Sequence, residues 1–167
     1  MSILIALCIL GGCQTVNPSV SVFQLSTGPK STTVDFNATQ LIVERISVVD
    51  YLKQSNIVFA QENGELISTR YQLWAEPIDK GITRSLVNEI NSAQDKIRAD
   101  SHVFSACREQ GQCYRLQVQV ERFYPSFDST VRFSGKYKLF YDQQLIEQSD
   151  FNLQKTLTDD GYSHAVE

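Results

Sequence analysis

The chain has 167 residues, of which 42% are hydrophobic and 20% charged, and its formal net charge is -4 with a pI near 5.2. That length suits one domain with an ordinary core. The mild acidity, without clustered Lys and Arg, excludes a nucleic-acid binder and is too balanced for an acidic disordered chain.

The first segment differs in kind from the rest. Ile3 to Leu10 is an uninterrupted apolar run, ending at Leu10-Gly11-Gly12-Cys13. It is far shorter than the roughly 20 residues a membrane-spanning helix needs, and suits the apolar region of a signal peptide. Leucine, two small residues and then cysteine resemble a bacterial lipobox. Residues 1–12 are therefore expected to be a signal peptide, and Cys13 the lipid anchor. Acyl chains, palmitate among them, hold a protein on a membrane at roughly 0.8 kcal/mol per buried methylene. Met1-Ser2 lacks the basic residues usual before such a run. The alternative is that Ile3 to Leu10 is a buried strand and Cys13 an ordinary thiol. Gln14, where Asp commonly signals inner-membrane retention, points to the outer membrane facing the periplasm.

Residues 13–19 are polar, with Asn17-Pro18, and read as a tether. Residues 20–167 form the expected domain. Val20 to Leu25 alternates as a first strand, and Ser26 to Thr33 is a loop. Leu41 to Val49 is rich in Ile and Val and reads as one strong strand. Ile57 to Gln61 and Leu66 to Leu73 flank Asn63-Gly64, the signature of a tight hairpin. A helix opens at Pro77, which tolerates the first turn because its missing N–H has no partner there. Ile78, Ile82, Leu86, Ile90, Ala93 and Ile97 then fall within about 120° of arc, so an amphipathic helix over about 77–97 packs on a sheet. Its polar face lacks the Lys and Arg density of a membrane-surface helix.

Three long strands follow. Leu116, Val118 and Val120 alternate with polar residues, as do Val131, Phe133, Tyr137, Leu139 and Tyr141. Leu145 to Thr156 is the third, with Phe151 and Leu153 apolar, and Asp142-Gln143-Gln144 turns the last pair. A period of two implies one wet face on an antiparallel sheet. Asp159-Asp160-Gly161 reads as a turn rather than an acid–base pair, and Tyr162 to Glu167 as the start of a truncated C-terminal helix. The fold class is thus α+β: an antiparallel or mixed sheet with one main helix.

Cys107 and Cys113 flank a short turn-like segment. A disulfide there would contribute about 2 kcal/mol by loop entropy. Two free thiols or a metal role with nearby His102 are the alternatives. The sequence predicts no catalytic residue, no cofactor and no metal site. His102 and His164 are its two histidines, and neither sits in a catalytic motif. A hydrolase would need one of them as base in a triad drawn from distant residues.

One stretch goes beyond generic architecture. Ile46 to Phe59 contains Tyr51-Leu52, and Tyr71 to Ile78 contains Trp74-Ala75-Glu76. With Phe23-Gln24-Leu25 and Cys13, this pattern resembles the ABC-type transport auxiliary lipoproteins, the PqiC- or YmbA-like family. In that pattern Trp-Ala-Glu opens a helix. The resemblance implies a non-enzymatic, outer-membrane-anchored part of an intermembrane lipid-transport system. It implies an MCE-domain periplasmic partner, a homo-oligomer and contact with phospholipid. Tyr51, Trp74 and Glu76 become a candidate partner interface. Read from the residues alone, Trp74 is a core aromatic and Glu76 a helix-dipole partner. A general envelope lipoprotein, such as a pilotin or Tol-like accessory, is the alternative function.

Overall fold

The structure is a computed structural model, and it describes residues 19–26, 38–93, 96–102 and 113–157. The expected signal peptide, Cys13, Cys107, His164, the Asp159-Asp160 turn and the truncated C-terminal helix lie outside the described residues. Nine strands form one mixed sheet with a single α-helix among the described residues. They are β1 (Ser21–Phe23), β2 (Thr39–Val43), β3 (Ser47–Val48), β4 (Asn56–Ala60), β5 (Leu66–Trp74), β6 (Ile97–Ser101), β7 (Cys113–Ser126), β8 (Thr130–Tyr141) and β9 (Gln144–Thr156), with α1 at Ile78–Ala93.

The long strand β7 organises the sheet. On one side it pairs antiparallel with β8, and β8 pairs antiparallel with β9. On the other side β2, β3 and β4 meet it in succession, all parallel. β5 pairs with β4, β1 runs parallel to β5, and β6 runs parallel to β2. Gly64 takes φ +82 in the turn between β4 and β5, the left-handed conformation its Asn-Gly position predicts. Asp142 and Gln143 both take positive φ between β8 and β9, as a two-residue hairpin turn requires.

Helix α1 covers the inner face. Ile78 and Ile82 join Ile46, Val48, Leu52, Val58, Val120 and Tyr124 in one buried cluster. Leu86, Val87 and Ile90 cover a second cluster of Leu41, Val43 and Ala99.

Three expectations need correction. The strand foreseen over Leu41 to Val49 is broken into β2 and β3. The Ile46 N–H leaves the ladder and donates to Thr83 Oγ1 at 3.2 Å, while that hydroxyl donates to the Asp79 carbonyl at 2.7 Å. The first two turns of α1 therefore clamp the break, and Arg45 reinforces it with an ion pair to Asp79 at 2.5 Å. Second, α1 ends at Ala93, and Ile97 opens β6. The Asn91 amide stabilises that return: it accepts from Ala99 N at 2.8 Å and donates to Ala99 O at 2.9 Å. Third, β9 does not have one buried face. It is exposed along nearly its whole length, with Phe151 only half-buried and Leu153 at 58% exposure.

Candidate functional site

The residues singled out in the sequence have separate structural settings. Tyr51 lies in a one-turn 3-10 helix, Asp50–Leu52, and its ring is partly exposed 6.4 Å from the Tyr124 ring. Its hydroxyl donates to the Glu121 carbonyl. The pairing of β7 with β8 slips between Val120 and Arg122, so Glu121 is the extra residue of a bulge. A bulge leaves a backbone group out of the ladder, and Tyr51 satisfies it. Burial, and then Tyr124, push the Tyr51 phenol above its ordinary value.

Trp74 is the last residue of β5 and not the opening of a helix, which starts four residues later. Its ring is half-buried and stacks on Phe123 at 5.7 Å. Phe123 meets Phe133 at 5.4 Å, and Phe133 meets Phe151 at 5.0 Å. A run of four aromatic rings thus links β5, β7, β8 and β9, each contact worth about 0.5–1.5 kcal/mol beyond its buried area. Glu76 is half-buried just before α1 and pairs with Arg84 at 2.5 Å. Tyr51 reaches Tyr124 and Trp74 reaches Phe123, consecutive residues of β7, while Glu76 faces the helix.

Two features escaped the sequence reading. The first is the turn joining β7 to β8. Asp128 gathers it, accepting from Ser126 Oγ at 2.7 Å, Thr130 Oγ1 at 2.6 Å and Thr130 N at 3.3 Å, with Arg132 at 3.3 Å. The Thr130 and Ser126 hydroxyls hold its carboxyl down to about 2. Phe127, inside this turn, is 53% exposed. A serine–threonine–aspartate cluster around an aromatic is the signal that would have found it. The second is the edge of β9. Its inner edge pairs with β8, and no strand among the described residues takes its outer edge. Leu145 and Ile146 are about half exposed at its start. Ile146 is itself displaced, since Phe140 pairs with Leu145 and Leu139 with Glu147. Alternation along the sequence cannot show which strand ends a sheet.

Among the described residues no three His, Cys, Asp or Glu side chains gather as a metal site, and no helix is long and apolar enough to cross a membrane. His102 is exposed just after β6, its backbone N–H donating to the Val43 carbonyl. The described surface thus offers binding features, a free strand edge and an aromatic turn.

A mixed-sheet domain with one covering helix of this kind matches a known family. Residues 23–167 match the family described as ABC-type transport auxiliary lipoprotein component, and the chain belongs to that family. Among its relatives are the proteins named intermembrane transport lipoprotein PqiC of Escherichia coli (strain K12) and of Shigella flexneri. Each is 28% identical over 160 residues, covering 94% of this chain and 82% of the relative. A crystal structure of an uncharacterized protein superposes with a TM-score of 0.75 at 26% identity, covering 89% of this chain and 88% of the other. A Xanthomonas campestris protein shares the fold, with a TM-score of 0.64 at 18% identity over 87% of this chain and 84% of its own.

Proposed function

We propose that the protein is a non-enzymatic accessory of an intermembrane lipid-transport system. It is anchored to the outer membrane through Cys13, faces the periplasm and docks an MCE-domain partner. The observation that carries this reading is the family match over residues 23–167, joined to relatives named for intermembrane transport. The outer edge of β9, which no described strand takes, supports a docking role. Edge strands present unpaired N–H and C=O groups that a partner strand can take, and proteins usually shield them. Here Lys155 is the strand's one cation, and no proline interrupts it. In this reading Tyr51 contributes its exposed ring to the interface, and Trp74 and Glu76 hold the surface from beneath. A homo-oligomer belongs to the same reading, and the aromatic run offers an apolar path beside phospholipid. Cys107 and Cys113 close a disulfide, supported by Cys113 being disulfide-bonded at the start of β7.

Co-purification tests the docking role. The lipidated protein, extracted from membranes, should retain the MCE-domain protein encoded beside it, and Ile146→Glu should release that partner. Absence of the partner from both lipidated and soluble preparations would refute the reading. Recovery of a secretin or Tol component instead would favour the general envelope lipoprotein.

A further inference from the structure

The two ends of the long sheet differ in how the chain approaches them. At one end lie the Gln61-to-Glu65 turn, the start of β5 at Leu66, and the β7–β8 turn with Phe127. They are held together: Ala60 pairs with both Leu66 and Ser126, and the Phe127 N–H donates to the Ala60 carbonyl at 3.0 Å. The opposite end holds Cys113, the Asp142-Gln143 turn and the exposed Leu145 and Ile146.

β1 fixes the direction from which the N-terminal chain arrives. It runs parallel to β5, with Ser21 level with Gln72 and Phe23 level with Trp74. The chain therefore enters from the Leu66 side and moves away from it. Gln72 lies six residues past Leu66, so β1 begins about 20 Å from that end. From Cys13 to Ser21 is eight residues, which reach at most about 27 Å. A tether directed back along β5 could therefore set Cys13 no more than about 7 Å beyond the Leu66 and Phe127 end, so an anchored chain can bring that end to the lipid.

A single exposed aromatic on a protein surface is ordinary. Phe127 differs because the turn that carries it is closed by its own hydrogen bonds. Ser126, Asp128 and Thr130 bond to one another, Ser129 takes φ 55, and Leu157 N donates to the Ser129 carbonyl at 2.8 Å. The polar side chains of the turn are turned on each other, and the phenyl ring is left outward. Leu66, 40% exposed, stands on the same end.

We infer that the Phe127 turn, with Leu66 beside it, is a membrane-contact tip that inserts into the headgroup layer of the lipid surface holding the anchor. The inference rests on the reading of Cys13 as that anchor. Among the described residues the charges on this end are Glu62, Glu65 and Asp128, with Arg132 ion-paired to Asp128 and Lys155 opposite Val131 one rung further in. Such a mildly negative end suits a zwitterionic phospholipid surface and gains nothing from an anionic one.

The test uses the full lipidated chain, purified from bacterial membranes and reconstituted in vesicles rich in phosphatidylethanolamine. Two variants, Phe127→Trp and Leu145→Trp, keep Trp74 as a shared background. Phospholipid brominated near the headgroup end of its acyl chains should quench the added indole of F127W at least about threefold more than that of L145W, as insertion about 5–10 Å deep requires. Flotation with vesicles but equal quenching of the two variants would overturn the tip while leaving the anchor in place. Failure of the protein to float would overturn the anchor and the tip together. Protection of the F127W indole from both brominated lipid and aqueous acrylamide would assign the turn to a second copy and likewise overturn the inference.

Discussion

Gly135→Ala probes the packing of β7, β8 and β9 most directly. Gly135 lies opposite Val120, where the β7 bulge begins. A methyl built there would sit 2.0 Å from the Gln119 carbonyl oxygen and 2.9 Å from the Phe151 ring. Real carbon–oxygen contacts do not approach 2.0 Å, so a strand must move. Overpacking typically costs about 1–3 kcal/mol, and an obstructing backbone carbonyl places this site at the top of that range, about 3 kcal/mol. For a chain of this size the melting temperature should fall by about 6–12 °C, at about 2–4 °C per kcal/mol. Circular dichroism melts and urea titrations would read it. Phe151→Ala separates the two obstructions. If the ring were the main barrier, F151A would rescue G135A; the nearer carbonyl predicts no rescue. A G135A variant within about 0.5 kcal/mol of the parent would refute the close approach of β7 and β8.

Three further outcomes follow from the same geometry. Tyr51→Phe removes the donor to the Glu121 carbonyl and should cost about 1 kcal/mol in urea unfolding, whereas a purely interfacial Tyr51 would leave stability unchanged. Asn91→Asp keeps the acceptor for Ala99 N but loses the donor to Ala99 O, so hydrogen exchange at Ala99 should quicken with a destabilisation of about 1–3 kcal/mol. Asp128 has its carboxyl lowered from the ordinary 3.8 to about 2. A depressed folded value stabilises above the unfolded one, so this contribution is full at neutral pH and fades as pH falls from about 4 through about 2. Amide exchange in the β7–β8 turn should rise across that window, and D128N should abolish the rise.

Local chemistry was legible in the sequence where it acts within a few residues. Asn63-Gly64 specified its turn, Pro77 marked the helix start, and the alternation of Leu116 to Val120 specified a long strand. What failed depended on distant partners. Ile97 fits the helical stripe as well as a strand; the Asn91 bridge to Ala99 decides against the helix. The run Leu41 to Val49 is uniformly β-prone, and only Thr83, on α1, shows that Ile46 leaves the ladder. The candidate site was harder still. Tyr51 owes its structural role to a bulge 70 residues away, and the exposure of β9 follows from its place at the end of the described sheet.

The tip and the edge lie at different places on one long body, which makes their roles separable. β7 has 14 residues and therefore extends over about 45 Å, from Cys113 to the Ser126 turn. With the Phe127 end at the lipid, Leu145 and Ile146 stand at the remote end of the free β9 edge. A protein partner would reach that end without crossing the headgroup layer, while lipid would not reach it at all. Phe127→Ser should therefore weaken brominated-lipid quenching of an indole placed at Leu66 and leave partner capture intact. Ile146→Glu should do the reverse. If F127S released the partner as fully as I146E does, the turn would belong to the protein interface, and the division of this molecule into a lipid end and a partner end would be wrong.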